Sequence, residues 1–185
     1  MLPQQATDLS KQQNVQTPIK APDLSRQNDQ KTQQRARQLL DEQDYTGTIH
    51  LIQAAIGQGT DEGTLSKEYL QAANGSLVQA EALMKQRHYP RAALLFKIVQ
   101  DSYPQNPELQ QQITASPAQL ADKINLCTEK LMEKGLFAYR SGEFTTAIDL
   151  WQQILELNPQ HQAAQDSIQT TQLQLAKLKA LNSKD

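Results

Sequence analysis

Apolar residues recur at steps of three and four along most of this chain, with polar residues between them. Such spacing puts the apolar side chains on one face of an α-helix, because the helix has about 3.6 residues per turn. The pattern is clearest over residues 128–161, where two short amphipathic stretches are joined by Ser141, Gly142 and Glu143. A glycine between two such stretches predicts a pair of helices that meet at a tight turn.

Within this pair, the small and the bulky residues have a regular spacing. Numbered from Thr128 as position 1, Gly135 falls at position 8, Ala147 at 20, Trp151 at 24 and Pro159 at 32. The small residues allow the two helices to approach closely, and the tryptophan fills the space towards the next element. The proline cannot continue a helix and therefore ends the second one.

Two earlier segments carry related spacings. The second segment has small residues at positions 8 and 20, an aromatic residue at 24 and proline at 32: Ala80, Ala92, Phe96 and Pro104. The first segment is looser, because Thr48 stands at position 20 and no proline closes it. Residues 25–34 contain no apolar side chain, so we expect the first half of that helix to be frayed or unpacked.

This spacing resembles the tetratricopeptide repeat, a helix-turn-helix unit of about 34 residues with characteristic small, aromatic and proline positions. The resemblance implies an all-α fold: a right-handed α-solenoid of three helical hairpins closed by a C-terminal capping helix. The expected repeats are about 29–60, 64–104 and 117–159, with the capping helix at 161–182.

Those elements are expected to form one domain over residues 23–183. Residues 1–22 show no periodicity and are expected to be a disordered tail. Thr64 is a reasonable N-cap for a long helix that reaches Gln86. Ser116–Gln119 combines an N-cap serine, a proline at the first helical position and a capping-box glutamine, which predicts a helix over 117–140.

Composition and charge narrow the class of partner. Charged residues make up 21% of the chain, the net charge is −2 and the pI is about 5.9, so no basic patch points to nucleic acid. No apolar run approaches the roughly 18 residues that a membrane span needs. The first residues lack the features of a signal peptide, so we expect a cytoplasmic protein, or a periplasmic one if an anchor precedes them. The compartment stays open.

The sequence offers little support for catalysis. His50, His88 and His161 lie in no recognised metal-ligand pattern, and Gly57–Gly59 lacks the rest of a phosphate-binding motif. Cys127 lies on the apolar side of a predicted helix, where we expect a buried thiol rather than a nucleophile. We therefore expect no enzyme activity, no metal and no cofactor.

The resemblance also implies a binding surface, because the family holds peptides or partner helices in a concave groove lined by positions 2, 5, 9, 12 and 13 of each first helix. Asn74 is the position-2 residue of the second segment. The implied groove residues that we select as partner contacts are Arg37, Leu40, Leu77, Glu81, Met84, Met132, Leu136, Tyr139 and Arg140. The apolar end of this groove is either open to a partner or covered by the chain itself.

The expected function is a non-catalytic protein–protein interaction scaffold that binds a peptide or helix of a partner protein in its concave groove. The alternative is a structural, self-associating assembly element, for example the soluble part of a bacterial envelope lipoprotein. A homo-oligomer is left open, and the sequence does not identify the partner.

Overall fold

The computed structural model describes the main chain of residues 22–182 and the side chains of residues 26–181. The disordered tail expected for residues 1–22 thus lies outside the described residues, except for Pro22. The described part is all-helical, with no strand. Its helices are α1 Pro22–Asp41, α2 Tyr45–Gly57, α3 Ser66–Lys85, α4 Tyr89–Asp101, α5 Pro107–Gln110, α6 Pro117–Arg140, α7 Phe144–Leu157 and α8 Gln162–Asn182.

Six of these helices form three hairpins, α1–α2, α3–α4 and α6–α7, each closed by a three-residue turn. The middle residue of each turn has a positive φ: Gln43 at 58°, Arg87 at 63° and Gly142 at 81°. In each turn the next N–H donates to a carbonyl five residues earlier, at 2.8–2.9 Å. This hydrogen bond and the left-handed residue end the first helix of each pair in the same way.

The hairpins pack in chain order. The second helix of each hairpin contacts the first helix of its own hairpin and the first helix of the next, and α8 packs on α7. Residues at positions 8, 20, 24 and 27 of the spacing are buried in all three hairpins: Ala36, Thr48, Ile52, Ala55, Ala80, Ala92, Phe96, Val99, Gly135, Ala147, Trp151 and Ile154. The three segments are therefore equivalent in their turns and in their buried positions.

The start of α6 has the predicted chemistry. Ser116 Oγ accepts from the Gln119 N–H, and the Gln119 side chain accepts from the Ser116 N–H, which completes the capping box. The predicted N-cap of α3, Thr64, is wrong by one residue, because the observed N-cap is Leu65. Asp61 accepts from the Gly63 N–H and nucleates a short 3₁₀ turn, Glu62–Leu65, before the helix begins at Ser66.

Residues 25–34 of α1 are helical, although they include no apolar residue. Most of their described side chains are exposed, and Asp29 accepts a hydrogen bond of 2.8 Å from Thr60 Oγ1. The expected lack of packing is therefore seen there, but not the fraying. Among residues 22–182, no helix is both long and apolar enough to cross a membrane.

Candidate partner-binding face

The predicted groove residues of the first hairpin are used inside the protein. Leu40 is buried in the core, so it offers no apolar surface to a partner. Arg37 is exposed, but its Nε donates at 2.9 Å to Oε1 of Glu68, whose carboxylate is buried on α3. This ion pair ties α1 to α3 across 31 residues of sequence. The first hairpin therefore contributes a structural contact where a binding contact was expected.

The predicted groove residues of the second hairpin also contact other parts of the chain. Leu77 is buried in the core, and Met84 is half-buried against it. Glu81 accepts a hydrogen bond from Lys123 of α6, whose Nζ also lies 5.6 Å from the ring centroid of Phe96. The selection of Leu40 and Leu77 as partner contacts needs correction, because packing within the chain buries both side chains.

Residues 102–116 lie between α4 and α6, and we call this segment the connector. It packs on the side of α3 that carries Asn74 and Leu77, which are groove positions by the spacing. Asn74 donates to the Gln112 carbonyl at 3.0 Å and accepts from the Thr114 N–H at 2.9 Å. Ile113 and Ala115 of the connector are buried. A cleft of about 270 Å³ remains between α3, the connector and the start of α6.

Leu77 and Glu81 of the second hairpin border the cleft beside the connector. In the third hairpin, two of the four predicted groove residues, Leu136 and Tyr139, border another open cleft. Leu136 is 42% exposed, Met132 and Tyr139 are half-buried, and Arg140 is exposed. Between α6 and α8 lies a cleft of about 230 Å³, which we call the terminal cleft. Its lining residues are Leu136, Tyr139, Trp151, Asp166, Ser167, Thr170 and Thr171.

The wall of the terminal cleft is built on Gly135. A Cβ at this position would lie within 2.6 Å of Cε2 and 2.8 Å of Cδ1 of Trp151, so the indole packs directly on the α6 main chain. Tyr139 stands beside the indole, with a ring-centroid distance of 6.4 Å. It also meets Phe144 edge to face at 5.4 Å. These aromatic contacts place Tyr139 and Trp151 side by side in the apolar wall of the terminal cleft.

Two hydroxyl groups of the α8 wall donate to the main chain of their own helix. Ser167 Oγ donates to the Ala163 carbonyl, and Thr171 Oγ1 donates to the Ser167 carbonyl, both at 2.7 Å. Asp166 is the charged residue of the lining, and it accepts a hydrogen bond of 2.8 Å from Gln162. The terminal cleft thus combines an apolar wall with one carboxylate, which suits an apolar side chain with a cationic neighbour.

The size of the terminal cleft fits a side-chain anchor better than a cofactor. Its volume of about 230 Å³ lies below the range of about 300–1,000 Å³ that is usual for small-molecule sites. Among the described side chains, those of residues 26–181, no group of three or more His, Cys, Asp and Glu is arranged to hold a metal ion.

The interior position of Cys127 was predicted correctly. The thiol is fully buried, and burial, together with the nearby Glu81 carboxylate, raises its pKa from 9.0 to about 11, although Lys123 opposes this shift. A thiol held in its protonated form is a poor nucleophile. Cys127 is therefore a small core residue in this structure.

Comparison with known proteins finds no family model that matches the chain, and no similar curated protein or solved structure.

The sequence does not predict the residues of α8 that line the terminal cleft: Asp166, Ser167, Thr170 and Thr171. The sequence places these residues in the expected capping helix at 161–182 and does not indicate that they line a cleft. The available signal was the placement of small hydroxyl residues beside the apolar stripe of α8, which leaves room against α6.

Proposed function

We propose that this chain is a tetratricopeptide-like helical repeat scaffold without catalytic function, which binds a peptide or helix of a partner protein. The equivalent turns and buried positions of the three hairpins support a solenoid arrangement. The observation that carries the proposed function is the terminal cleft, because two predicted groove residues, Leu136 and Tyr139, border it.

The chemistry of the terminal cleft indicates how a partner would bind. An apolar side chain of the partner enters beside Leu136 and Tyr139, and burial of one such side chain is worth about 1.5–3 kcal/mol. A neighbouring Lys or Arg of the partner meets Asp166. Since a single anchor gives modest affinity after entropic costs, the partner also contacts the exposed Arg140 at the end of α6.

The test is affinity capture with crosslinking from the native host, followed by binding measurements on the purified partner. Leu136→Asp places a carboxylate in the apolar wall and should weaken binding at least about tenfold, while the circular dichroism spectrum stays helical. If Leu136→Asp binds normally, or loses its helical structure, Leu136 is not a partner contact and the proposal fails.

Phe137→Asp is the matched control. Phe137 follows Leu136 on α6 and is more exposed, at 74%, but it does not border the terminal cleft. The same change of charge at this position should leave the affinity within about threefold of the wild-type value. A loss of binding in Phe137→Asp with normal binding in Leu136→Asp would move the site to another side of α6.

A second candidate is self-association through α8. The C-terminal half of this helix carries three exposed leucines: Leu173, Leu178 and Leu181. Two copies that pair through these residues would form a symmetric interface. Size-exclusion chromatography with light scattering separates the candidates, since a monomer at all concentrations opposes assembly, and a dimer lost in Leu181→Lys supports it.

A further inference from the structure

Asn74 binds the main chain of the connector at two points. Its side-chain amide donates to the Gln112 carbonyl and accepts from the Thr114 N–H, so both hydrogen-bonding groups of the amide are used on one short piece of backbone. Main-chain hydrogen bonds of this kind do not depend on the side chains of the bound segment. Asn74 is thus placed to recognise a peptide backbone.

The residue between those two hydrogen bonds provides the apolar part of the contact. Ile113 is buried and belongs to the same core cluster as Leu77 of α3, and Ala115 is buried in that cluster as well. The side chains of Gln112 and Thr114 are exposed. The connector is therefore held by its main chain and by alternate apolar side chains, which is the usual combination when a protein surface binds a peptide segment.

We propose that this face of α3 is a peptide-binding site that the chain fills with its own residues 112–115. The ligand class is a peptide main chain with a carbonyl and an N–H two residues apart and an aliphatic residue between them. By the spacing, Asn74 and Leu77 belong to the same expected groove as Leu136, so this inference deepens and rests on the proposed function. The experiments below separate this site from the terminal cleft.

The connector fills this site because it is covalently attached to α4 and α6 and is therefore always close to it. A segment fixed at both ends to α4 and α6 has an effective concentration in the millimolar range or above at its own site. Within the connector, Tyr103 donates a hydrogen bond of 3.2 Å from its OH to the Ala115 carbonyl, which links the two ends of this segment. A free peptide must displace this segment, and its apparent affinity for the wild-type chain is reduced accordingly.

Space remains beside the connector for a longer peptide. The adjoining cleft of about 270 Å³ is bordered by Val78, which is 71% exposed, and by Glu81 and Lys123. The connector leaves Val78 uncovered. A peptide that binds in place of residues 112–115 therefore gains an apolar contact that the connector does not make.

The test uses the full chain with residues 111–115 replaced by a Gly/Ser linker of equal length, which keeps the Ser116 capping box and α5. The probe is a fluorescein-labelled peptide with the sequence of residues 109–116, titrated by fluorescence anisotropy. We expect saturable binding to the linker variant, and binding to the wild-type chain at least about 100-fold weaker.

Asn74→Ala in the linker variant should weaken binding of this peptide about tenfold, as the loss of two hydrogen bonds requires. Leu136→Asp in the same background should leave it unchanged, which separates this site from the terminal cleft. A linker variant that is helical but binds the peptide no better than the wild-type chain overturns the inference. Equal binding with and without Asn74 overturns it too.

A second measurement covers a linker variant that does not fold. Hydrogen exchange of the full-length chain should show that Asn74→Ala speeds exchange of the Thr114 amide at least about tenfold, with no change in the middle of α6. Unchanged exchange at Thr114 would mean that Asn74 does not hold the connector, and would overturn the inference.

Discussion

Gly135 and Trp151 are in direct contact, and nothing larger than glycine fits on α6 at this point. An added Cβ would meet the Nε1, Cε2 and Cδ1 atoms of the indole, the last two at 2.6 and 2.8 Å. Real Cβ atoms do not approach other atoms so closely, so the indole would have to move. This contact sets the distance between α6 and α7 and places Trp151 in the wall of the terminal cleft.

Gly135→Ala should destabilise the protein. The displaced indole is buried, and overpacking of this kind costs about 1–3 kcal/mol, which exceeds the gain of about 1 kcal/mol in helix propensity. Urea unfolding followed by circular dichroism gives the change in the free energy of unfolding. Gly57→Ala is the control, because a Cβ at the end of α2 meets nothing within 4 Å. Equal effects of the two substitutions would contradict the close contact.

At the turn residue Arg87 we predict that a substitution raises the free energy of unfolding. Arg87 has a φ of 63°, a conformation that costs an ordinary residue about 1 kcal/mol relative to glycine. Arg87→Gly should therefore raise the free energy of unfolding by about 0.5–1 kcal/mol, and Gly142→Ala should lower it by a similar amount. Thermal unfolding of both variants measures this. Destabilisation by Arg87→Gly would show that its side chain matters more than its backbone.

The buried carboxylate of Glu68 predicts a structural role for Arg37. Arg37→Ala leaves the carboxylate buried without its partner and should cost about 1–3 kcal/mol in the free energy of unfolding. Glu68→Gln keeps an acceptor for Arg37 without the charge and should cost less. Arg35→Ala, an exposed change on the same helix, should stay within about 0.5 kcal/mol. If Arg37→Ala behaves like Arg35→Ala, the ion pair does not stabilise the fold.

Cys127 predicts a loss of stability at high pH. Because burial raises the pKa of its thiol from 9.0 in the unfolded chain to about 11 in the folded protein, the unfolded chain loses its proton first. The contribution of the buried, protonated thiol to the free energy of unfolding is fully present below pH 9. It is lost as the pH rises from about 9 to about 11. Cys127→Ala should therefore lose less stability than the wild-type protein over that range in urea titrations. Parallel pH profiles would refute a buried, protonated thiol.

The local features of the fold could be predicted where the residues themselves determine the backbone. Ser116–Gln119 specifies the start of α6 through its own capping hydrogen bonds, and Gly142 suits a left-handed turn. The equivalent turns at Gln43 and Arg87 were less evident, because neither residue favours a positive φ. Their conformation follows from the packing of the two helices that they join.

Contacts between distant segments could not be predicted from spacing. Leu77 lies on the face where a groove was expected, but the connector and the start of α6 cover that face. The partners of Asn74 are 38 and 40 residues away in the sequence. Helical periodicity predicts which residues share a face; it does not predict which later segment packs on that face. The terminal cleft is a consequence of the same kind, since α8 forms one of its walls.

The most direct test of the partner-binding face uses the fact that Trp151 is the one tryptophan in the sequence. Incorporation of 5-fluorotryptophan gives a single ¹⁹F NMR signal from the wall of the terminal cleft. Titration with the captured partner should shift this signal saturably in the wild-type chain and in Phe137→Asp, but not in Leu136→Asp. A partner that binds the wild-type chain while the signal of Trp151 stays unchanged would contradict a binding site in the terminal cleft.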